Sequence, residues 1–551
     1  MARLRLLLSC LRPLMAKPGT LLPTLKALRR RFRNAGLNGV KIALLELHAG
    51  RPLHDKEQIW KAHQARLREL EPAAREAIAS MPGTPLVSVL LPVYNTPPEL
   101  LQRCIDSVRQ QWYPHWELCV CDDASTETAT LAVLERAAAA DGRIRLMRNA
   151  RNLNIAAASN RALAMARGSH VVLLDHDDLL QPQALFRLAQ CILRHRPDFV
   201  YSDEALISRE DDEILDFFFR PAFSPELLRS QPYIVHLIAF RREFLERIGR
   251  LDERLVISQD YDLILRAVEQ ARVIVHIPEI LYCWRRLGGS AGHRMQARVM
   301  ETSTRVLERH LARCGQAGQV TAGEFFNTFE TRYPLQPGLR VALLIPNHNG
   351  GDLLRRCIES IEATVRGVAF EILVIDHRSD DPVTLDYLES LAGRCQVMRC
   401  DGPFNFSLLN NRGVAALEGA FSHYLFCNHD LQALETGWLE RMLELGQQRD
   451  VAAVGAKLLY PDGRRIQHAG VGVGIFAAVE HYGRFQENRR PDGQHAQGHL
   501  GSLVCNREVS AVSAACMLFD ASLFRRLGGF DERLAAGFGA TDLCLRAREA
   551  G

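Results

Sequence analysis

Residues 171–180 read Val-Val-Leu-Leu-Asp-His-Asp-Asp-Leu-Leu, and this stretch decides the fold. An apolar run that ends abruptly in acids is typical of a central strand in a parallel sheet covered on both faces. Ligands of open α/β sheets bind beyond the carboxyl ends of the strands, so we expect a ligand at Asp175, Asp177 and Asp178. Three carboxylates this close repel one another unless a cation joins them, and such hard oxygen ligands suit Mg²⁺ or Mn²⁺ with a phosphate. The alternative is that Asp177 or Asp178 caps a helix starting near Gln181-Pro182.

The composition indicates an ordinary globular protein with more than one domain. The chain has 551 residues, of which 47 % are apolar and 24 % charged. Ten of its Lys and Arg residues lie in residues 1–45, which hold no acid, and the remainder carries 58 basic against 64 acidic residues. Because the basic charge is local, the sequence gives no case for a nucleic-acid-binding surface.

The fourteen cysteines form no CxxC pair. A zinc site would need clustered Cys and His residues, so we interpret these cysteines as free thiols in a reducing cytosol. No stretch has about 18 uninterrupted apolar residues, and no transmembrane helix is predicted.

Residues 1–80 are predicted to form a basic helical extension. Leu21, Leu22, Leu25 and Leu28 recur at helical spacing beside the basic stretch 29–33. Such a helix is suited to the anionic surface of a membrane, where it would give the protein peripheral contact. The alternative is that it packs on its own domain or on a partner, with solvated arginines.

Strands and helices alternate after a linker at residues 81–85, which predicts a parallel sheet. The expected elements are strands at 87–91, 116–121 and 144–147, helices at 98–111 and 152–166, and a helix ending at Ala140.

An internal repeat divides the rest of the chain. Residues 341–349 repeat the pattern of residues 87–95 at an offset of 254, and Asn428-His429-Asp430 answers Asp175-His176-Asp177 at an offset of 253. We therefore predict two tandem copies of one α/β domain, at residues 86–300 and 339–551, joined by a helical linker at 301–338.

These motifs resemble the inverting glycosyltransferase family 2, and most closely the tandem-domain bacterial enzymes that build O-antigen and related surface polysaccharides. The matching stretches are Val-Leu-Leu-Pro-Val-Tyr-Asn (89–95), Asp-Asp-Ala-Ser (122–125), Asn160-Arg161 and Leu-Asp-His-Asp-Asp (174–178). The resemblance implies a GT-A fold, an α/β domain that binds a nucleotide diphosphate sugar. It also implies a UDP- or dTDP-sugar donor and a glycan or polyprenyl-linked glycan acceptor.

The resemblance also implies roles for individual residues. Tyr94 has a ring that can stack on a base, and Asp122 or Asp123 can accept from the base or the ribose, with helix capping as the alternative. Asp175 and Asp177 would hold Mn²⁺ or Mg²⁺ across the diphosphate. The implied donor-binding residues are Pro92, Tyr94, Asn95, Asp122, Asp123, Asn160, Arg161 and Asp175.

Asp260, in Ser-Gln-Asp-Tyr-Asp (258–262), resembles the family's general base for the acceptor hydroxyl. The alternative is a first-turn acid of a helix. The residues implied to border the acceptor are Tyr201, Asp203, Asp262 and Trp284. One departure from the family is Cys283, where relatives often have a histidine that helps bind metal or diphosphate; His293, or no protein ligand, would serve instead.

The second copy keeps the fold signals and loses acids. Its corresponding residues are Pro346, Asn349, Asp376, Asn428, Asp430 and Asp542. Ala540 takes the position of the base, so we predict a domain that binds a ligand and transfers poorly; the rival hypothesis is that Asp542 replaces the base.

The sequence favours a cytoplasmic enzyme. A carbohydrate-binding scaffold without catalysis is the second hypothesis, and the acids of the first copy argue against it. A nucleotidyltransferase would need a Gly-rich phosphate loop after the first strand, which Pro92-Val93-Tyr94-Asn95 does not supply.

Overall fold

Two α/β domains follow one another in the computed structural model, which describes residues 56–209, 212–286, 295–475 and 478–551. The predicted fold class and the tandem repeat are confirmed. The basic segment at residues 1–45 and His293 lie outside the described residues.

The first domain is a nine-stranded mixed sheet with helices on both faces. Its strands are β1 (Val87–Val93), β2 (Trp116–Asp122), β3 (Ile144–Arg148), β4 (His170–Leu173), β5 (Leu179–Leu180), β6 (Phe199–Ile207), β7 (Ile214–Phe218), β8 (Ile238–Arg241) and β9 (Ile274–Arg285). Its helices, counted with the one before it and the one after it, are α1 (Lys56–Ala79), α2 (Pro98–Arg109), α3 (Thr128–Ala140), α4 (Asn154–Met165), α5 (Ala184–His195), α6 (Pro225–Ser230), α7 (Arg242–Ile248), α8 (Gln259–Gln270) and α9 (Gln296–Arg313).

The sheet runs in the order β3-β2-β1-β4-β8-β6-β9-β5, and β7 pairs with β6. The pairs β2–β3, β1–β2 and β1–β4 are parallel, whereas β8 runs antiparallel between β4 and β6. Every residue of β1 and β2 is buried, which explains why these strands read as continuous apolar runs. The carboxyl ends of β1, β2 and β4 therefore meet at one edge of the sheet.

Helix α1 packs on the first domain. Leu67 and Ala74 are buried in the core of that domain, and Trp60 lies against Phe217 with 6.4 Å between the ring centroids. The predicted leucine-rich basic helix at residues 21–33, for which membrane contact and packing were the two alternatives, lies outside the described residues. No helix among residues 56–209, 212–286, 295–475 and 478–551 is both long and apolar enough to cross a bilayer.

A hairpin of β10 (Gln319–Ala322) and β11 (Phe329–Arg332) leads from α9 into the second domain. Arg332 donates two hydrogen bonds of 3.0 and 2.7 Å to the buried carboxylate of Glu444, which also accepts the Tyr333 amide. Burial alone would raise the pKa of Glu444, but these bonds and the charge of Arg441 lower it. The clasp ties the hairpin to the second domain.

The second domain repeats the topology of the first. Its strands are β12 (Arg340–Asn347), β13 (Ala369–His377), β14 (Gln396–Cys400), β15 (His423–Cys427), β16 (Ala453–Gly455), β17 (Leu458–Leu459), β18 (Ile466–His468), β19 (Val471–Ile475), β20 (Ala478–His481) and β21 (Cys516–Asp520). Its helices are α10 (Gly351–Thr364), α11 (Pro382–Ser390), α12 (Phe406–Ala416), α13 (Trp438–Gly446), α14 (Ala521–Arg526) and α15 (Gly539–Glu549).

The main sheet of the second domain has the order β14-β13-β12-β15-β21-β16, with the first three pairs parallel and the last two antiparallel. This matches β3-β2-β1-β4-β8-β6 strand for strand. Two small hairpins, β17–β18 and β19–β20, are inserted between β16 and β21.

Candidate active site

The acidic stretch lies just beyond the end of β4. The backbone N–H of Asp175 donates to the hydroxyl of Tyr282 on β9 at 3.2 Å, and the thiol of Cys104 on α2 donates to the Asp175 carbonyl at 3.4 Å. The apolar strand thus delivers the acids to the sheet edge, and two neighbouring elements hold them there.

Asp178 is buried and holds β9, so the helix-capping alternative is wrong for this residue. Its carboxylate accepts from the Tyr282 hydroxyl at 2.7 Å and from the Arg285 amide at 2.7 Å. The two-residue strand β5 separates it from α5, which begins at Ala184 without a side-chain cap. Pairing of β5 with β9 has replaced the early helix start that the sequence suggested.

His236 links the acids to a buried ion pair. Its Nε2 lies 3.5 Å from the Asp175 carboxylate and its Nδ1 lies 3.3 Å from the Glu204 carboxylate. Glu204 pairs with the Arg220 guanidinium at 2.8 Å, and both of those side chains are almost fully buried. A line of alternating charge therefore runs from the core to Asp175, whose side chain is 43 % exposed.

The pKa values of these groups follow from burial and from one another. Burial opposes a charged imidazole, but hydrogen bonds to Asp175 and Glu204 raise the pKa of His236 well above its usual value. The protein around the partly exposed Asp175 side chain opposes its charge, but the hydrogen bond and the charge of His236 lower the pKa of that carboxyl. Burial and then the neighbouring carboxylates raise the pKa of Asp178 well above its usual range, and burial raises the pKa of Asp177. The neighbouring carboxylates thus add to a cost of charging that burial already imposes, and a bound cation would lower that cost.

A hard divalent cation fits this cluster. Ligand atoms of Asp175, Asp178 and His236 lie within 4.8 Å of one another. Both oxygens of Asp178 already accept hydrogen bonds, whereas the Asp175 carboxylate is open to solvent. Asp175 is therefore the group best placed to bind a cation, with Asp177 two residues on; oxygen ligands and uncompensated negative charge are what Mg²⁺ and Mn²⁺ require.

Asp260 lies at the head of α8 on the same side of the site. Burial raises the pKa of its carboxyl, the Tyr261 amide that it accepts at 2.8 Å opposes the rise, and the charges of His236 and Asp175 also reach it. Ser258, the residue before this helix, is in the left-handed region at φ 60° and its hydroxyl lies 2.9 Å from that of Ser303 on α9. Asp260 thus lies at a helix start that is held by its own bond to the Tyr261 amide and by the contact of Ser258 with α9.

The predicted donor residues lie at the ends of β1 and β2. Tyr94 is 46 % exposed, and Asn95, at φ 45°, accepts the amides of Thr126 and Glu127 through its side-chain oxygen. Pro92 lies within β1, which Asn95 follows. The exposed ring of Tyr94 thus lies next to a turn that is stabilised by the side-chain oxygen of Asn95.

Asp122 and Asp123 are both buried. Asp122 accepts the Ser125 amide at 3.2 Å and pairs with Arg148 at 3.1 Å. Asp123 accepts the Leu153 amide at 2.9 Å and the side-chain amide of Asn149 at 2.6 Å. These bonds close the loops at this edge, and neither carboxylate caps its following helix, since α3 has no side-chain cap.

Three of the predicted residues hold the domain together. The Asn160 amide donates to the Leu251 carbonyl at 2.9 Å and accepts the Leu251 amide at 3.1 Å. Asp262 is buried and pairs with Arg266 at 2.8 Å. Asp203 accepts the Arg220 amide and the His276 imidazole, both at 2.9 Å.

The other predicted residues differ in exposure. Tyr201 is buried and donates its hydroxyl to the Pro221 carbonyl at 2.8 Å, whereas Arg161 is exposed. Trp284 lies between Phe218 and His236, with 6.4 Å to each ring centroid, and so borders the cluster.

The second domain lacks the charged groups at the matching positions. His170 on β4 lies opposite Arg241 on β8, and the corresponding His423 on β15 lies opposite Asp520 on β21. His236 lies five residues before Arg241 and Ala515 lies five residues before Asp520, so Ala515 takes the position of His236. Phe199 on β6 and Ala453 on β16 occupy matching positions opposite β8 and β21, and counting five residues on from each aligns Leu458 with Glu204. The matching helices α8 and α15 start at Gln259 and Gly539, which aligns Ala540 with Asp260.

The remaining polar groups of the second cleft are retained. Asn349 accepts the amides of Asp380 and Asp381 through its side-chain oxygen, as Asn95 accepts two amides in the first domain. Asp376 is buried in β13, which pairs with β12, and Pro346 of β12 matches Pro92. Asp430 is exposed, and the backbone N–H of Asn428 donates to the Ala515 carbonyl at 3.0 Å. Asp542 pairs with Arg546 at 2.8 Å, as Asp262 does with Arg266. The structural clamps are thus repeated and the charged cluster is not.

Sequence reasoning missed the part of His236, Glu204 and Arg220. His236 and Glu204 are 32 residues apart, and nothing local marks them as partners. The one sequence signal was that Glu204 directly follows Asp203, which was implied to border the acceptor. Position 283 holds no histidine, and the histidine that lies beside Asp175 is His236.

The family described as Glycosyl transferase family 2 matches residues 88–249 and 342–528. The uncharacterized protein y4gI of Sinorhizobium fredii is 38 % identical over 86 % of this chain and 52 % of its own length. The O-antigen biosynthesis protein RfbC of Myxococcus xanthus is 34 % identical over 87 % of this chain and 37 % of its own length. The chain thus spans about half or less of these relatives. Among solved structures, S. aureus TarS 1-349 in complex with UDP-GlcNAc aligns at a TM-score of 0.35 and 20 % identity, over 41 % of this chain and 66 % of that chain.

Proposed function

The chain belongs to glycosyl transferase family 2, and from this premise we propose that its first domain transfers a sugar, with inversion, from a nucleoside-diphosphate sugar to a glycan or lipid-linked glycan. The observation that carries the proposal is the gathering of Asp175, His236 and Asp260 at the carboxyl end of β4. Open α/β sheets bind their ligands at this edge.

Asp260 is the proposed general base. An acceptor hydroxyl attacks the anomeric carbon, its proton passes to the Asp260 carboxylate, and the nucleoside diphosphate leaves from the opposite face. One such displacement inverts the anomeric carbon. The raised pKa of Asp260 supports this role, because a base works best when its pKa lies near the working pH.

The donor would bind across the ends of β1, β2 and β4. Tyr94 offers an exposed ring for the base, and Arg161, in the second half of α4, offers an exposed positive charge. Asp175 and Asp177 would hold Mn²⁺ or Mg²⁺, with His236 fixing Asp175. When bound, the cation would neutralise the charge of the leaving diphosphate. The sequence motifs favour UDP or dTDP as the nucleotide.

The acceptor is proposed to be a growing surface polysaccharide of the O-antigen kind. A relative with 34 % identity carries that printed role, and Trp284 beside His236 offers an aromatic face of the kind that packs on sugar rings. We place the reaction on the cytoplasmic side, with the basic stretch at residues 1–45 in contact with anionic lipid.

The second domain is proposed to bind a nucleotide or glycan without transferring it. Asn428, Ala515 and Ala540 leave it with neither the base nor the charged line that fixes Asp175 in the first domain. The second candidate function for the whole chain is a binding scaffold that transfers no sugar. Only the loss of the base and of the charged groups in the second domain favours it.

The test is sugar release from UDP- and dTDP-sugars, with and without an acceptor glycan, at varied Mn²⁺. Asp177→Ala should weaken donor binding, and Asp260→Asn should cut turnover by about 10² to 10⁴ with donor binding kept. Asp430→Ala, the matched change in the second domain, should leave both unaltered. Equal activity of all four proteins would refute the proposal.

A further inference from the structure

A loop of the second domain lies on the first domain beside the candidate active site. This docking loop, residues 499–508, precedes β21 and touches residues 219–231 of the first domain. His499 Nε2 lies 2.8 Å from the Phe219 carbonyl, and the side-chain amide of Gln231 donates to the Leu500 carbonyl. Cys505 packs against the apolar core of the first domain.

Glu508 supplies the missing cap of α6. Ser224, the residue before α6, makes no side-chain bond to its own helix. Instead the Ser224 hydroxyl donates to the Glu508 carboxylate, which also accepts the Glu226 amide at 3.2 Å. The first N–H groups of a helix need an acceptor, and here the acceptor of the Glu226 N–H comes from the other domain.

Helix α6 in turn holds the head of α8. The hydroxyl of Tyr261 donates to the Leu228 carbonyl at 2.6 Å, and Tyr261 follows Asp260 directly and donates its amide to that carboxylate. A shift of α6 therefore moves the anchor of the residue next to the proposed base.

A second path leads from the docking loop to His236. Phe219, whose carbonyl contacts His499, precedes Arg220. Arg220 donates to the Tyr233 carbonyl at 2.7 Å and pairs with Glu204, the buried partner of His236. His499 and Glu508, at the two ends of the docking loop, thus contact Phe219 and the start of α6, and both of these lead to residues of the candidate active site.

We propose that the second domain acts as an in-chain positioning subunit for the first, and that Glu508 is a positioning residue for transfer to the acceptor. The inference rests on the proposed function for its kinetic part. It explains why a domain with Ala540 at the base position keeps the fold and the docking loop. Glu508 touches neither donor nor acceptor in this scheme; it acts through α6 and Tyr261 on Asp260.

The test compares the full chain with Glu508→Ala and Glu508→Gln. Glu487→Ala is the matched control, since Glu487 lies in the same insertion and pairs only at 3.6 Å with Arg464 among the described residues. Amide hydrogen exchange of residues 225–231 and 259–262 gives a readout that needs no activity. Steady-state kinetics give kcat with acceptor and the KM for donor.

Glu508→Ala loses both bonds to the start of α6, each worth about 1 kcal/mol, so exchange in α6 should speed up and kcat should fall, each by about fivefold to thirtyfold, with donor KM unchanged. Glu508→Gln should recover most of both, because its amide oxygen still accepts the Glu226 N–H. Exchange that matches wild type, faster exchange with an unaltered kcat, or a change in donor KM as large as that in kcat each overturns the proposal.

Two further measurements separate the outcomes. Ser224→Ala removes the hydroxyl bond from the first domain and keeps the Glu226 N–H bond, so it should give a smaller change of the same kind, and a Glu508→Ala protein that fails to fold does not end the test. If the wild-type chain shows no sugar transfer at all, the proposed function fails, and the exchange result still decides whether the docking loop orders α6.

Discussion

The imidazole of His236 stacks on the phenol ring of Tyr282, with 4.6 Å between the ring centroids and 10° between the ring planes. The Tyr282 hydroxyl donates to the Asp178 carboxylate at 2.7 Å and accepts the Asp175 amide at 3.2 Å. One side chain on β9 therefore fixes the histidine by its face and two acids by its edge.

The first prediction concerns the Tyr282 hydroxyl. Tyr282→Phe keeps the ring stack and leaves buried Asp178 without one donor, which should cost about 1–3 kcal/mol of stability. Affinity for Mn²⁺ and donor should fall about tenfold, because Asp175 loses its anchor; calorimetric titration and thermal unfolding measure the two effects. The control is Tyr201→Phe, whose buried hydroxyl donates to the Pro221 carbonyl. It should lower stability alone, and an equal loss of donor affinity in both variants would contradict the assignment.

The second prediction separates two acids on the first turn of α8. Asp262 is buried and pairs with Arg266 at 2.8 Å, so Asp262→Asn should lower the unfolding free energy by about 2 kcal/mol and leave turnover near wild type. Asp260→Asn should do the reverse. Because burial raises the pKa of Asp260, the charged form is disfavoured in the fold, and a neutral amide should keep or raise stability while sugar transfer is lost. Urea unfolding and transfer rates on the same preparations test both, and loss of transfer in Asp262→Asn at full stability would reverse the roles.

The third prediction concerns the rival base in the second domain. Asp542 pairs with Arg546, which donates to the carbonyls of Leu527 and Gly529 at 3.0 and 2.8 Å. Asp542→Ala should therefore loosen the packing of α15, with about 1 kcal/mol lost, and leave total sugar transfer unchanged. The matched first-domain variant is Asp262→Ala. Transfer that falls in Asp542→Ala without a change in thermal unfolding would restore Asp542 as a catalytic residue.

The sequence predicted the parallel strands and the repeat because both rest on local, periodic signals. Strands expected at 87–91, 116–121 and 144–147 appear as β1, β2 and β3, each within two residues. The antiparallel half of the sheet was not predicted, since β5 has two residues and the pairing of β8 between β4 and β6 depends on distant contacts.

The candidate site divides in the same way. Asp175 and Asp260 could be proposed from the sequence because Asp175 follows a regular element and Asp260 lies at the start of one. The roles of His236 and Arg220 were not, because they depend on pairing across 61 and 16 residues respectively with Asp175 and Glu204, which only the folded sheet brings together.

The last prediction is a loss of stability in the second domain at mildly acidic pH. His468 is buried; its Nε2 lies 3.3 Å from the amide nitrogens of Gly470 and Ser513, and its Nδ1 lies 2.8 Å from Nδ1 of His481. Burial, with the charges of His481 and Arg507, lowers the pKa of His468 to about 3. The unfolded chain binds a proton near pH 6.5 and the folded domain does not, so stability is full above that pH and falls below it.

At pH 5 this single group should cost about 2 kcal/mol relative to pH 7.5, and the neighbouring His481, whose pKa burial also lowers, adds to the loss. Amide exchange in β18 and β20, measured at both pH values and corrected for intrinsic rates, reports this loss of stability directly. His468→Gln should flatten the dependence, although it costs stability at neutral pH. The same change at His495, an exposed imidazole beside Glu324, should leave the dependence as in wild type. Protection in β18 that is the same at pH 5 and pH 7.5 would show that His468 is protonated within the fold.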